Sequence, residues 1–235
     1  MKQLLIASTS TLHSGAYLDY LLDALKIHFK GIKDIIFIPY ARPSGISHDD
    51  YTNKAAEAFA KIDIKVTGLH TFKNPAEAIA NAKGIFTGGG NTFVLVSALY
   101  QYKLLEPLKS AINSGTPYLG TSAGSNICGL NIRTTNDMPI VYPPSFKTLG
   151  FVPFNINPHY LDPDTNSTHM GETRETRIKE FHQFNTQPVV GLREGSWLKV
   201  NGQSIELKGT LTARIFEYDS EPYEVETGTF LNELK

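Results

Sequence analysis

Residues 116–126 read TPYLGTSAGSN, Thr116 to Asn126. An apolar run, Thr116–Gly120, leads into Gly120-Thr121-Ser122-Ala123-Gly124, and the small residues Ala123-Gly124-Ser125-Asn126 then open a helix. The five central residues fit G-x-S-x-G, the turn that projects a nucleophilic serine between a strand and a helix. The flanking positions must be small because the backbone there is strained and closely packed. The residue after the serine can also offer its backbone N–H to an oxyanion. The pattern alone also occurs as a plain turn. The strand before it and the helix after it are what favour the functional reading.

The same layout occurs upstream. Gly84–Thr87 is a short strand that runs into Gly88-Gly89-Gly90-Asn91, and Thr92–Tyr100 is helical. A phosphate loop would need G-x-G-x-x-G, or a glycine loop followed by Lys-Ser or Lys-Thr, and neither follows Gly90. What remains is a permissive βα turn or a backbone able to approach a ligand closely. Working outward, Gln3–Ser8, Asp34–Pro39 and Ile64–Gly68 read as strands. Ala16–Phe29, Tyr51–Lys61, Pro75–Ala82 and Leu104–Asn113 read as helices. Repeated β-α-β units predict an α/β fold, a mostly parallel sheet with helices on both faces. Ligand sites in such sheets form beyond the carboxyl ends of the strands, where both glycine turns fall.

The second half differs. Asn131–Pro163 is rich in Pro, Asn and Tyr and predicts short strands and long loops. Arg174–Asn185 reads as a charged helix and Pro188–Gly191 as a strand. Ser196–Val200, Gln203–Leu207 and Leu211–Phe216 read as antiparallel strands near the C-terminus, with Asn201-Gly202 as a turn. No repeat or linker interrupts residues 1–235, which predicts one catalytic domain.

Composition narrows the function. Of 235 residues, 41% are hydrophobic and the net charge is −1. Such a chain lacks the basic block that nucleic-acid or membrane-surface binding needs. No stretch has the length of a membrane span, and the N-terminal apolar run reads as a strand rather than a leader. One cysteine, Cys128, excludes an internal disulfide and a cysteine-rich zinc site, and it suits the cytoplasm.

A nucleophilic serine needs a base. His13, His28, His48, His70, His169 and His182 lie in no motif. His159 follows the extended segment Asn155-Ile156-Asn157-Pro158 and is the candidate. A carboxylate should hold its imidazole. Asp137 would give the order Ser-Asp-His, and Glu194 follows the Pro188–Gly191 strand on a tight turn before Gly195. Spacing does not decide between them.

Six segments together carry a resemblance: Gly88–Thr92, Gly120–Asn126, Arg133–Ile140, Asn155–Asp162, Gly171–Ile178 and Arg193–Trp197. In this order, over nearly the whole chain, they resemble the peptidase E family, the α-aspartyl dipeptidases among serine peptidases. The resemblance implies a fold like class I glutamine amidotransferase domains. It implies Ser122 as nucleophile, His159 as general base and Glu194 as orienting carboxylate, with Asp137 as the alternative third member or a supporting group. It implies backbone N–H groups of Gly89, Gly90 and Ala123 as oxyanion donors. Arg174 would bind the aspartyl side chain of Asp-Xaa dipeptides. No metal or cofactor is implied. The oligomeric state stays open, a homodimer included. Two rivals share parts of the pattern. One is a cyanophycinase-like hydrolase of aspartyl-arginine polymer. The other is a glutaminase domain, which usually carries cysteine where this chain has Ser122. Asn136–Pro144 and Asp162–Gly171 are candidates for loops that close over the site.

Overall fold

The computed structural model describes residues 1–164, 166, 168 and 170–234. His169 and part of the 162–171 loop lie outside the described residues.

The first half builds a large sheet from β1 (Gln3–Ala7), β2 (Asp34–Ile38), β3 (Lys65–Gly68), β4 (Ile85–Thr87) and β5 (Tyr118–Thr121). The order is β3-β2-β4-β5-β1, and every neighbouring pair is parallel. The hairpin of β8 (Ser196–Asn201) and β9 (Ser204–Gly209) adds two antiparallel strands beside β1. Alternation along each strand explains why both faces are covered. Leu4, Ile6, Ile36 and Ile38 face one core, while Leu5, Ala7, Ile35 and Phe37 face the other. Residues of α1 (Leu22–His28) and α2 (His48–Ala60) fill the second core. Residues of α3 (Pro75–Asn81), α4 (Thr92–Gln101) and α5 (Leu105–Asn113) fill the first.

A second sheet packs into that first core. It has the order β11-β10-β7-β6, from β6 (Asn155–Pro158), β7 (Val189–Leu192), β10 (Ala213–Phe216) and β11 (Tyr223–Val225). Strands β6 and β7 are parallel, with Pro158 opposite Leu192. His159 and Arg193 therefore leave the sheet at the same end.

The α/β class holds, and several boundaries move. The expected helix Ala16–Phe29 begins only at Leu22, after a 3-10 turn at Asp19–Leu21. Leu18 is fully buried at φ 61°, a left-handed backbone that no helix can continue through. Helix α2 starts earlier than periodicity predicts because Ser47 caps it, accepting from the Asp50 N–H at 3.0 Å. The expected helix Arg174–Asn185 stops as α7 (Arg174–Phe181). The terminal strands do not form one antiparallel set: β8 and β9 join the large sheet, β10 the small one. Strand β11 carried no sequence signal.

Candidate active site

Ser122 sits between β5 and the short helix α6 (Ala123–Asn126) at φ 54°, ψ −111°. That is a conformation L-residues rarely hold. Local contacts enforce it. A Cβ on Gly120 would lie 2.3 Å from the Gly124 carbonyl oxygen, and one on Gly124 would lie 2.2 Å from the Thr87 oxygen. Only glycine fits either place, which is the physical content of the two glycines in the motif. The Ser122 N–H donates to the Ala7 carbonyl at 3.1 Å. The buried Ser125 hydroxyl reaches the same carbonyl at 2.6 Å and that of Gly120 at 2.8 Å.

His159 follows β6, also at positive φ, 53°. Its Nε2 is 2.8 Å from Ser122 Oγ, and its Nδ1 is 2.6 Å from Glu194 Oε1. The His159 and Glu194 side chains remain 37% and 46% exposed. The row therefore opens to solvent, where a substrate can reach it. Asp137 is elsewhere. Its Oδ2 accepts the Thr92 N–H at 2.7 Å and the Thr135 hydroxyl at 3.1 Å. It thus places negative charge at the N-terminus of α4, where the helix dipole favours it.

The glycine loop lies along the serine. A Cβ on Gly89 would stand 2.8 Å from Ser122 Cβ. Neighbouring amides are used: Gly88 donates to Ile38 O at 3.2 Å and Asn91 to Ala41 O at 2.7 Å. Among the described residues, the N–H groups of Gly89, Gly90 and Ala123 have no acceptor. That leaves three donors unoccupied beside the serine.

Arg174 opens α7, with Thr173 as its cap. A cation on the first turn stands at the unfavourable end of the helix dipole. Nearby carboxylates are engaged: Glu172 pairs with Arg177 at 2.7 Å, and Glu175 pairs with Lys179 and Arg214 at 3.0 and 3.1 Å. Among the described residues Arg174 has no hydrogen bond or ion pair. Burial lowers its pKa, an effect the charge of Asp137 opposes. It lines a cleft of about 340 Å³ with Thr134, Asn136 and Asn157. Asn136 Nδ2 donates to the Pro158 carbonyl at 2.7 Å, one residue before His159.

Sequence reading missed two supports. Ser8, fully buried at the end of β1, accepts the His159 N–H at 2.8 Å and donates to the Leu192 carbonyl at 2.6 Å. Its place at the carboxyl end of a parallel strand was the available signal. Arg193 points inward while Glu194 points at His159. Its guanidinium binds Asp162, Glu224 and both oxygens of Thr212, and lies 5.4 Å from the Tyr160 ring centroid.

A serine on a strained strand-to-helix turn, bonded to histidine and through it to glutamate, is the arrangement of a serine hydrolase on an α/β scaffold. The model of the family described as "Peptidase family S51" matches residues 4–208. The chain belongs to this family. It is 48% identical over 231 residues to "Peptidase E" of Streptomyces coelicolor, covering 98% of this chain and 94% of that protein. It is 45% identical over 221 residues to "Probable alpha-aspartyl dipeptidase" of Drosophila melanogaster, covering 93% and 91%. The crystal structure of a peptidase from an acI-B1 Actinobacterium matches with a TM-score of 0.73 at 18% identity, covering 98% of this chain and 96% of that one, a likeness of fold.

Proposed function

We propose that the protein is a serine dipeptidase that removes aspartate from Asp-Xaa dipeptides. The observation that carries this is the row Ser122–His159–Glu194, with spacings of 2.8 and 2.6 Å, in a chain that also holds an unpaired, partly desolvated Arg174. Ser122 Oγ attacks the peptide carbonyl and His159 Nε2 takes its proton. Glu194 holds the Nδ1–H and stabilises the imidazolium. The carbonyl oxygen becomes an oxyanion facing the free amides of Gly89, Gly90 and Ala123. His159 then protonates the leaving amine, an aspartyl ester remains on Ser122, and water releases aspartate by the reverse proton path. These steps call on no metal or cofactor.

Arg174 supplies the selectivity. A guanidinium fork matches a carboxylate through two parallel hydrogen bonds, and Arg174, which makes no hydrogen bond or ion pair among the described residues, keeps its fork open for an anion from outside. The glutaminase alternative finds no support at Cys128, a buried thiol that burial keeps protonated and that lies 3.5 Å from the Gly124 carbonyl. No helix among the described residues is long and apolar enough to cross a membrane. With the lone reduced cysteine, that fits work in the cytoplasm on small peptides.

The test is release of free aspartate from Asp-Leu against Ala-Leu and against a long aspartyl-arginine polymer. Asp-Leu alone should be cleaved. Ser122→Ala should lower kcat by at least about 10⁴-fold. Arg174→Ala should reduce kcat/KM on Asp-Leu by about 10²–10³-fold. Cleavage of the polymer with Asp-Leu untouched would overturn the assignment.

A further inference from the structure

The peptide between Gly89 and Gly90 has glycine on both sides, and Gly90 stands at φ 143°. Neither residue has a Cβ of its own to select the orientation of that peptide plane, with its N–H toward the serine or away from it. One side-chain contact decides the matter. The Tyr51 hydroxyl, from α2, donates to the Gly89 carbonyl at 3.1 Å, and both partners are buried. A trans peptide is planar, with C=O and N–H pointing in opposite directions. Anchoring the oxygen on the Tyr51 side therefore drives the Gly90 N–H to the other side. We propose that Tyr51 is a positioning residue, whose hydroxyl fixes the Gly89–Gly90 peptide with its N–H turned toward the oxyanion formed at Ser122.

Tyr51 is itself held rigidly. Its side chain is 1% exposed, Phe37 meets its ring edge-on at 4.9 Å, and the Arg42 guanidinium lies 5.1 Å from its centroid. The arrangement also gives Gly88 a reason. A Cβ there would stand 2.6 Å from the Tyr51 hydroxyl and 2.8 Å from Phe37 Cζ. Glycine at 88 lets the phenol through to the next carbonyl. The triple glycine thus divides its tasks: Gly88 admits the phenol, Gly89 lies against Ser122, and Gly90 carries the oriented amide.

The inference rests on the proposed hydrolase chemistry, and its test separates the two. An aspartyl aldehyde captures the tetrahedral state: Ser122 Oγ adds to the aldehyde carbon, its proton passes to His159, and the carbonyl oxygen becomes the hemiacetal oxyanion. A reduced Asp-Leu analogue, with CH₂–NH in place of the amide, binds without forming an oxyanion. In Tyr51→Phe, which keeps the ring, kcat on Asp-Leu and aldehyde affinity should each fall about 10- to 100-fold. KM and reduced-analogue affinity should stay within about twofold, since uniform binding is untouched. Equal losses for aldehyde and reduced analogue would make Tyr51 a packing residue, and unchanged kcat would remove the role altogether. Tyr51→Met, with melting followed in parallel, repeats the comparison without a ring. If the wild type forms no Ser122 adduct while Ser122→Ala binds the aldehyde equally well, the hydrolase reading falls, and this one with it.

Discussion

Ser122 and His159 both hold positive φ, 54° and 53°, on either side of a 2.8 Å contact. Such a backbone costs of order 1–3 kcal/mol per residue and persists only where surroundings over-determine it. Alanine at 122 keeps the Cβ and the strain, whereas glycine releases it at a backbone-entropy cost of about 0.5–1 kcal/mol. Both Ser122→Ala and Ser122→Gly should be inactive, and the glycine variant should melt at the higher temperature. Calorimetry checks this, and a glycine variant melting below the alanine one would show that the turn is unstrained. The serine was legible in sequence because its constraints are local, glycines two residues away on each side. Ser8 was not, because the partners of its hydroxyl lie 151 and 184 residues away along the chain.

The turn between β7 and β8 carries the glutamate, and its stiffness comes from Arg193 rather than from turn chemistry alone. Hydrogen bonds from Arg193 lower the pKa of Asp162 below the usual carboxylate range. Burial pushes Glu224 the other way, but Arg193 and Thr212 outweigh it, and the net direction is again down. A carboxylate held down in the folded state contributes stability above its unfolded pKa, near 4, and loses it as pH falls through the lowered folded value. Melting temperature should therefore decline below about pH 4, and Arg193→Gln should flatten that decline while lowering kcat at pH 7. Parallel melting curves for wild type and variant would sink the idea. Element prediction failed where such tertiary ties decide. Periodicity located the strands and helices of the first half, yet placed the start of α1 too early, because a left-handed Leu18 is demanded by the core and announced by nothing nearby.

Across the whole molecule, the parallel sheet was readable because each strand and its following helix are sequence neighbours. The second sheet was not: β6 and β7 lie some thirty residues apart, with a loop and α7 between them, and β10 leaves the hairpin it follows. Global stability should also respond to pH through His28, at the end of α1. Burial there pushes its pKa down to about 4, although its Nε2 meets the Tyr118 carbonyl at 3.1 Å. Below about 6.5 the unfolded chain takes up a proton at His28 that the folded one refuses. Stability should fall as pH drops from about 6.5 to about 4, and His28→Gln should remove part of that slope in denaturant titrations. An unchanged slope would place the histidine in contact with water. The end of β1 has a wider consequence. Ala7 holds the backbone of the serine, while Ser8 holds that of the histidine and the strand end before the glutamate. One dipeptide near the start of the chain thus waits for segments made much later. During synthesis Ser122 is made before His159 and Glu194, so it has no neighbouring base until β6 and β7 dock, and a half-made chain carries no assembled row.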